Sequence, residues 1–441
     1  MPEDIYGAIR PLYYLSKIFG LAPFSFVAEV HPDGLRSNRL KTTYIDVFYS
    51  VLIIVISLTA SATVLSWRIQ NSYATDKHMT IILTDANVFC LNSSLALVSV
   101  LLGVAFNTRR MTKLVNEISR IDKILLTRPR DVYKKTYIFG VLQVAYLFCT
   151  YVLFYYYHSW VWVGELSSKN FKHLPISYFI RSVIYVMETQ YINLIILFRH
   201  RFREINTYLK QIYDNDKGDL VHKIELIYFH NSCALNEVSG PSILSQSAYV
   251  PITTRRSNHS RSFETKISIG RYSTSQHQLL LMTGIHYALC DMADCVNSMY
   301  GLQILVDFTV SFITLTTCIY FCIRFIIQIH LQSEISESEG ITRAIGISVV
   351  WLTLVIIRLV AITASCSATT AEANYTAQVL QRILLEPGLH PHAMRNAQLF
   401  LQQVTNRPLH FTAWGFFIIN YNLLGSIIAT VATYLVILLQ F

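Results

Sequence analysis

Phe411-Thr412-Ala413-Trp414-Gly415-Phe416-Phe417-Ile418-Ile419-Asn420-Tyr421-Asn422-Leu423-Leu424-Gly425-Ser426-Ile427-Ile428-Ala429-Thr430-Val431-Ala432-Thr433-Tyr434-Leu435-Val436-Ile437-Leu438-Leu439-Gln440-Phe441 runs for thirty-one residues without one charged side chain. About 20 mostly apolar residues suffice for a helix to cross a bilayer's hydrocarbon. Backbone polar groups cannot go unpaired there, so such a run reads as a spanning helix. At this length it begins outside the hydrocarbon, with a break expected near Asn420–Gly425. Small and polar residues recur along it (Gly425, Ser426, Ala429, Thr430, Ala432, Thr433), which lets several copies approach or line a wet path.

Working back from this run, six more segments reach spanning length: Tyr44–Ser66, Ile81–Phe106, Tyr137–Val163, Leu174–Phe198, Ile304–Leu331 and Thr342–Cys366. Those at 81–106 and 174–198 hold the most polar side chains. The composition agrees. Of 441 residues 53% are hydrophobic and 14% charged, against roughly 25% charged in soluble domains, and the mean hydropathy is +0.39. A soluble chain this long divides into two or three domains, and so few charges cannot cover them. Transmembrane strands are about 9–11 residues long and alternate apolar with polar positions, which is not this pattern. The expected fold class is all-α: a polytopic membrane protein with seven transmembrane helices.

The net charge of +9 comes from 36 Lys+Arg and 27 Asp+Glu. Its distribution is topological, so no nucleic-acid partner is implied. Lys and Arg number five in 1–43, nine in 107–136, eleven in 199–303 and three in 367–410. The intervening 67–80, 164–173 and 332–341 hold two, two and none. Positive loops stay inside, so the amino terminus is cytoplasmic and the carboxyl terminus extracellular. A G-protein-coupled receptor has the reverse topology. Met1-Pro2-Glu3-Asp4 lacks the basic region of a secretory signal, so the first span acts as its own insertion signal. Residues 11–27 form a shorter apolar stretch, expected to lie at the interface or against the bundle.

The organisation follows: a cytoplasmic amino-terminal segment 1–43, spans one to four in 44–198, and a cytoplasmic loop 199–303. Spans five and six fill 304–366, cytoplasmic helices 367–410, and the seventh span 411–441. The loop's middle, about 213–278, is rich in Ser, Thr, Asn and Arg and reads as disordered. Its flanks 199–212 and 279–303 read as helical continuations of spans four and five, and Ala393–Val404 is amphipathic. Together these extensions are expected to form a cytoplasmic anchor layer. The eight cysteines lie in spans or on the cytoplasmic side, so no disulfide framework is expected. No internal repeat is present and seven is odd, which weighs against secondary transporters. No phosphate loop, dinucleotide fingerprint, nucleophile elbow or metal-spaced histidine set occurs, so neither an enzyme nor a cofactor or metal site is expected.

Ionisable residues inside spans are functional candidates. Arg181, Tyr185 and Glu188, spaced i, i+4, i+7, share one face of span four, and Gln190 follows. Glu188 lies fourteen residues in, about 20 Å deep at 1.5 Å per residue. Span two offers Asp85 and Asn92, span three Tyr155, span five Arg324 and Gln328, and span six Trp351. Acidic, basic, amide and aromatic groups thus converge at outer to middle depth, as in a water-accessible pocket open to the outside. Carboxylates and guanidinium pair with hydroxyls, and an aromatic face packs on the C–H side of a sugar ring, so the set suits a small polyhydroxylated ligand. The blander readings are an interfacial aromatic belt for 155–162, helix–helix contacts for Asn92, and an ion pair for Arg181 with Glu188. Asp307 and Arg358, nearer the cytoplasm, read as a structural pair.

Thr433-Tyr434, five apolar residues and then Gln440-Phe441 matches the TYhhhhhQF signature of insect gustatory receptors, and the inverted topology agrees with it. The chain resembles that family. Ala432–Phe441 and Tyr14-Leu15-Ser16-Lys17-Ile18-Phe19-Gly20-Leu21-Ala22-Pro23 look most like its fructose-sensing branch. The resemblance implies a homotetrameric, ligand-gated, non-selective cation channel in the plasma membrane, passing monovalent cations and calcium and acting as a taste or nutrient receptor. It implies that the seventh helices surround the pore, with Gln440 and Phe441 as the gate and Val436 or Ile437 a turn away. D-Fructose is the ligand inherited from the branch. A sugar transporter and a channel gated by a bitter tastant are the alternatives.

Overall fold

The computed structural model describes residues 2, 4–30, 36–73, 79–126, 129–163, 174–214, 274–331, 335–385 and 391–440. The expected disordered middle of the long loop lies almost wholly outside them. Helix α1 (Ile5–Ile18) leads into a hairpin of β1 (Ser25–Val30) and β2 (Arg36–Lys41), then α2 (Tyr44–Trp67) and α3 (Met79–Leu102). After α4 (Thr108–Leu125) come the long helices α5 (Pro129–Val163), α6 (Leu174–Asp214), α7 (Thr274–Leu331) and α8 (Ile335–Leu385). Helix α9 (Pro391–Asn406), a second hairpin of β3 (Thr412–Ala413) and β4 (Phe417–Ile418), and α10 (Tyr421–Gln440) complete the chain.

Six of the seven expected spans fall on helices and the seventh does so from Tyr421 onward, while α6, α7 and α8 run well past the hydrocarbon length, continuing in one piece into the polar flanks. Among the described residues six helices are long and apolar enough to cross a membrane. The exception is α6, and its position explains why. It packs against α3, α7 and α8 at the centre of the bundle, burying Val183, Met187, Tyr191, Ile195, Phe198 and Phe202. A helix surrounded by protein rather than lipid tolerates polar side chains on every face.

The 11–27 segment packs against α5 and α6, but its helix has other bounds: it begins at Ile5, capped by the Asp4 carboxylate accepting from the Gly7 N–H at 2.7 Å, and ends before Gly20 (φ +74°). Lys17 then reaches span one, its Nζ 2.8 Å from Asp46 Oδ1. Asp46 also accepts the Thr43 N–H at 3.3 Å, closing the first turn of α2.

The last span departs most. Residues 411–420 are not helical; a tight hairpin occupies them, with Trp414 and Gly415 both at positive φ (+50° and +82°). The final helix starts at Tyr421, with Asn420 Oδ1 accepting the Leu423 N–H at 3.1 Å as its cap. Along α10 only Val431 is buried, so the rest of the helix is wholly or partly exposed in the single chain.

Candidate functional site

The apolar face of α6 fixes the rotation of its polar face. With Val183, Ile184 and Met187 buried in the core, Arg181, Tyr185 and Glu188 fall within about 60° of one another on the side towards α8. The Arg181 guanidinium sits 3.7 Å from the centroid of the Trp351 ring, and Phe154 of α5 meets that indole edge-on at 4.4 Å. Four residues along, the Tyr185 ring lies under Arg358, 5.2 Å from its guanidinium carbon. One turn further the charges close up. Arg358 Nη1 is 3.3 Å from Glu188 Oε1, and Nη2 is 2.8 Å from Asp307 Oδ1 and donates to Ser311 Oγ at 2.8 Å.

Two carboxylates therefore share one guanidinium in an almost dry setting: Glu188 is 3% exposed and Asp307 is fully buried. Burial of charge is tolerated only with a partner. The partnering is incomplete, because among the described residues Glu188 Oε1, Asp307 Oδ2 and Arg358 Nε make no hydrogen bond. Glu188 Oε1 is still paired with Arg358 Nη1, so the column leaves one acceptor, Asp307 Oδ2, and one donor, Arg358 Nε, without a hydrogen bond. Asp307 and Arg358 do pair, as their common depth suggested, but they also recruit Glu188, which sequence alone had set opposite Arg181. Which arginine meets Glu188 depends on the rotation of α8, and no local signal reports it.

The other expected ligand residues scatter. Asn92 joins Arg181 in lining a cavity of about 30 Å³ with Arg68, Val88, Phe89, Ser177 and Ile180, while its amide donates to the Val88 carbonyl of its own helix at 2.7 Å. Arg68 lies over the Phe89 ring at 4.7 Å. That space is water-sized, so a hexose can enter only by spreading α3 from α6. Gln190 turns away: two residues past Glu188 is about 200° around a helix. It accepts from the Tyr300 hydroxyl at 3.3 Å and lines a different cavity of about 20 Å³ with Ser99, Asn107, Met187 and Gln303. Arg324 is exposed. The side chains of Asp85, Tyr155 and Gln328 lie outside the described residues.

On the last helix Val436 (58%) and Ile437 (44%) are exposed, as is Gln440, whereas Phe441 lies outside the described residues. Thr433 donates to the Ala429 carbonyl at 3.0 Å, and the Tyr434 ring meets Phe312 of α7 edge-on at 5.7 Å. Tyr434 thus ties the last helix to α7, whereas the Thr433 bond stays within α10.

A family model described as 7tm Chemosensory receptor matches residues 9–441. Gustatory receptor 68a of Drosophila melanogaster is 33% identical over 146 residues, 33% of this chain and 36% of that protein. Gustatory and pheromone receptor 32a of the same species is 34% identical over 149 residues, 34% of this chain and 29% of that protein. These two matches span only about a third of either relative's length. Putative gustatory receptor 28a is 20% identical over the whole chain and 92% of its own length. Among solved structures, the olfactory receptor OR5 of Machilis hrabei superposes with a TM-score of 0.61 at 12% identity, covering 98% of this chain and 97% of its own. Its complex with eugenol gives 0.57 at 14% identity. With that fold over its full length and the family model matched from residue 9 to residue 441, this multi-pass membrane protein belongs to the 7tm chemosensory receptor family, a family of receptors rather than enzymes.

Proposed function

We propose that the chain is a sugar-gated, non-selective cation channel of the plasma membrane, with D-fructose as its ligand and a homotetramer as its working form. The observation that carries the reading is the buried column Arg181–Tyr185–Glu188–Arg358–Asp307, in which Asp307 Oδ2 and Arg358 Nε are left without a hydrogen bond. An apolar odorant has no use for such groups, whereas adjacent sugar hydroxyls donate to both carboxylates and accept from the guanidinium. The exposed apolar length of α10 supports the assembly, since four copies around an axis cover one another's Val436 and Ile437. Monovalent cations and calcium are the proposed permeant ions, and the amino terminus is cytoplasmic in this reading.

Whole-cell recording from cells expressing the full chain tests it. Fructose is expected to evoke a cation current; glucose, sucrose and bitter alkaloids are the comparisons. Uptake of labelled sugar without current would make the protein a transporter. A current evoked only by alkaloids would keep the channel and replace the ligand.

Two variants refine the reading. Trp351→Leu removes the ring under Arg181, a contact of roughly 1 kcal/mol, so the half-maximal fructose concentration is expected to rise about fivefold at unchanged surface level. Gln440→Ala is expected to alter single-channel conductance or open time, and unaltered currents would move the gate elsewhere.

A further inference from the structure

We infer that Asn297 and Gly301 of α7 are positioning residues for the last helix: they bind the 412–418 hairpin to α7 so that both move as one body when the channel gates. The inference rests on the channel reading above. Helix α7 carries Asp307 on one side and, on another, a single stripe to which the segment leading into α10 is attached. Asp291, Asp294, Asn297, Gly301 and Phe308 fall within about a third of the helix circumference at 3.6 residues per turn.

Each position holds the segment by a different means. Arg407 donates to Asp291 at 2.7 Å and to Asp294 at 2.5 Å. The Asn297 amide bonds Thr412 twice, accepting its N–H at 2.9 Å and donating to its hydroxyl at 3.1 Å. The Thr412 hydroxyl in turn accepts the Gly415 N–H at 3.2 Å, closing the turn. At Gly301 the hairpin backbone touches the helix: a Cβ there would stand 3.1 Å from Trp414 N and 3.2 Å from Trp414 Cα. Backbone atoms cannot rotate away as a flexible side chain can, so even alanine displaces the hairpin. Phe308 meets Phe417 edge-on at 5.8 Å.

The hairpin itself resists bending. Trp414 has φ +50°, a conformation rare for a bulky side chain, and it persists where surrounding contacts over-determine it. A tight turn pinned by a bidentate amide and a backbone contact has little freedom to slide. Asp307 and Phe308 are consecutive, so a rotation of α7 that follows a change at the Arg358–Asp307 pair carries the foot of α10 with it.

The test compares full-length receptors by agonist-free current and by D-fructose-evoked current, both normalised to surface-labelled protein. Asn297→Ala and Gly301→Ala are expected to change the agonist-free current at least about fivefold, the equivalent of one lost hydrogen bond. Asn297→Asp keeps an acceptor, and the Thr412 hydroxyl can turn to donate to it, so wild-type currents are expected. Thr412→Val removes only the hydroxyl and gives an intermediate change, which keeps the test open where the alanine variants fail to reach the surface. Variants that reach the surface with wild-type currents overturn the inference, as does an aspartate variant that behaves like alanine. A wild-type chain silent in every condition overturns the channel reading itself, a distinguishable result.

Discussion

Replacing Arg201 with methionine is expected to destabilise the receptor by about 3–5 kcal/mol, the usual cost of breaking a buried ion pair from one side. Both partners are fully buried. Arg201 Nε donates to Asp122 Oδ1 at 2.9 Å and Nη2 to Oδ2 at 2.6 Å, a bidentate arrangement; Nη1 takes the Leu197 carbonyl at 3.0 Å. The Tyr133 hydroxyl donates to Asp122 Oδ2 at 3.0 Å. Helices α4, α5 and α6 therefore meet at one carboxylate. Without the guanidinium that carboxylate stays buried and uncompensated, a loss comparable to much of a domain's total stability of about 5–15 kcal/mol. The measurement is the melting of detergent-solubilised receptor, with surface level as the cellular readout. Arg201→Met combined with Asp122→Leu is expected to recover much of the loss, because two apolar groups leave no stranded charge. Losses that simply add in the double variant would show that packing, not the ion pair, carries the effect.

Arg358→Gln is the second large effect, this time on response. Arg358 is the guanidinium between Glu188 and Asp307, and it also covers Tyr185. Its removal leaves two buried carboxylates without the cation they share. The fructose-evoked current is expected to fall below about a tenth of wild type at equal surface level, the loss of one or two charge-assisted hydrogen bonds. Removing the stranded charges with Glu188→Gln and Asp307→Asn in the same chain is expected to recover surface level but not response. The two requirements separate there: stability needs charge balance, whereas a ligand needs the particular donor and acceptors. A normal response in the single variant would remove the column from the ligand site.

Much of the candidate site was visible along the chain, because helical spacing is a local property. Arg181, Tyr185 and Glu188 share a face by arithmetic, and the structure has all three on it. Gln190 was grouped with them by depth alone, and 200° of rotation sends it to another cavity. Arg324 was included for its place in a span and is exposed. The pairing of Glu188 with Arg358 across two helices, 170 positions apart in sequence, left no trace in either segment.

The closing run 411–441 shows the same division. Its lack of charge marks a membrane segment, because transfer free energy adds up residue by residue whatever the neighbours are. For the same reason the seven long apolar runs, and the uneven distribution of Lys and Arg between them, can be read without a structure. Only the packed chain decided that 411–420 form a hairpin. Trp414 and Gly415 adopt left-handed backbone there, beside the Asn297–Thr412 bonds and the close approach of Trp414 to Gly301, and apolar composition does not distinguish that from a helix. Burial is a sum over single residues and is written along the chain; the meeting of particular charges, amides and backbone atoms depends on how whole helices rotate against each other, which no segment specifies alone.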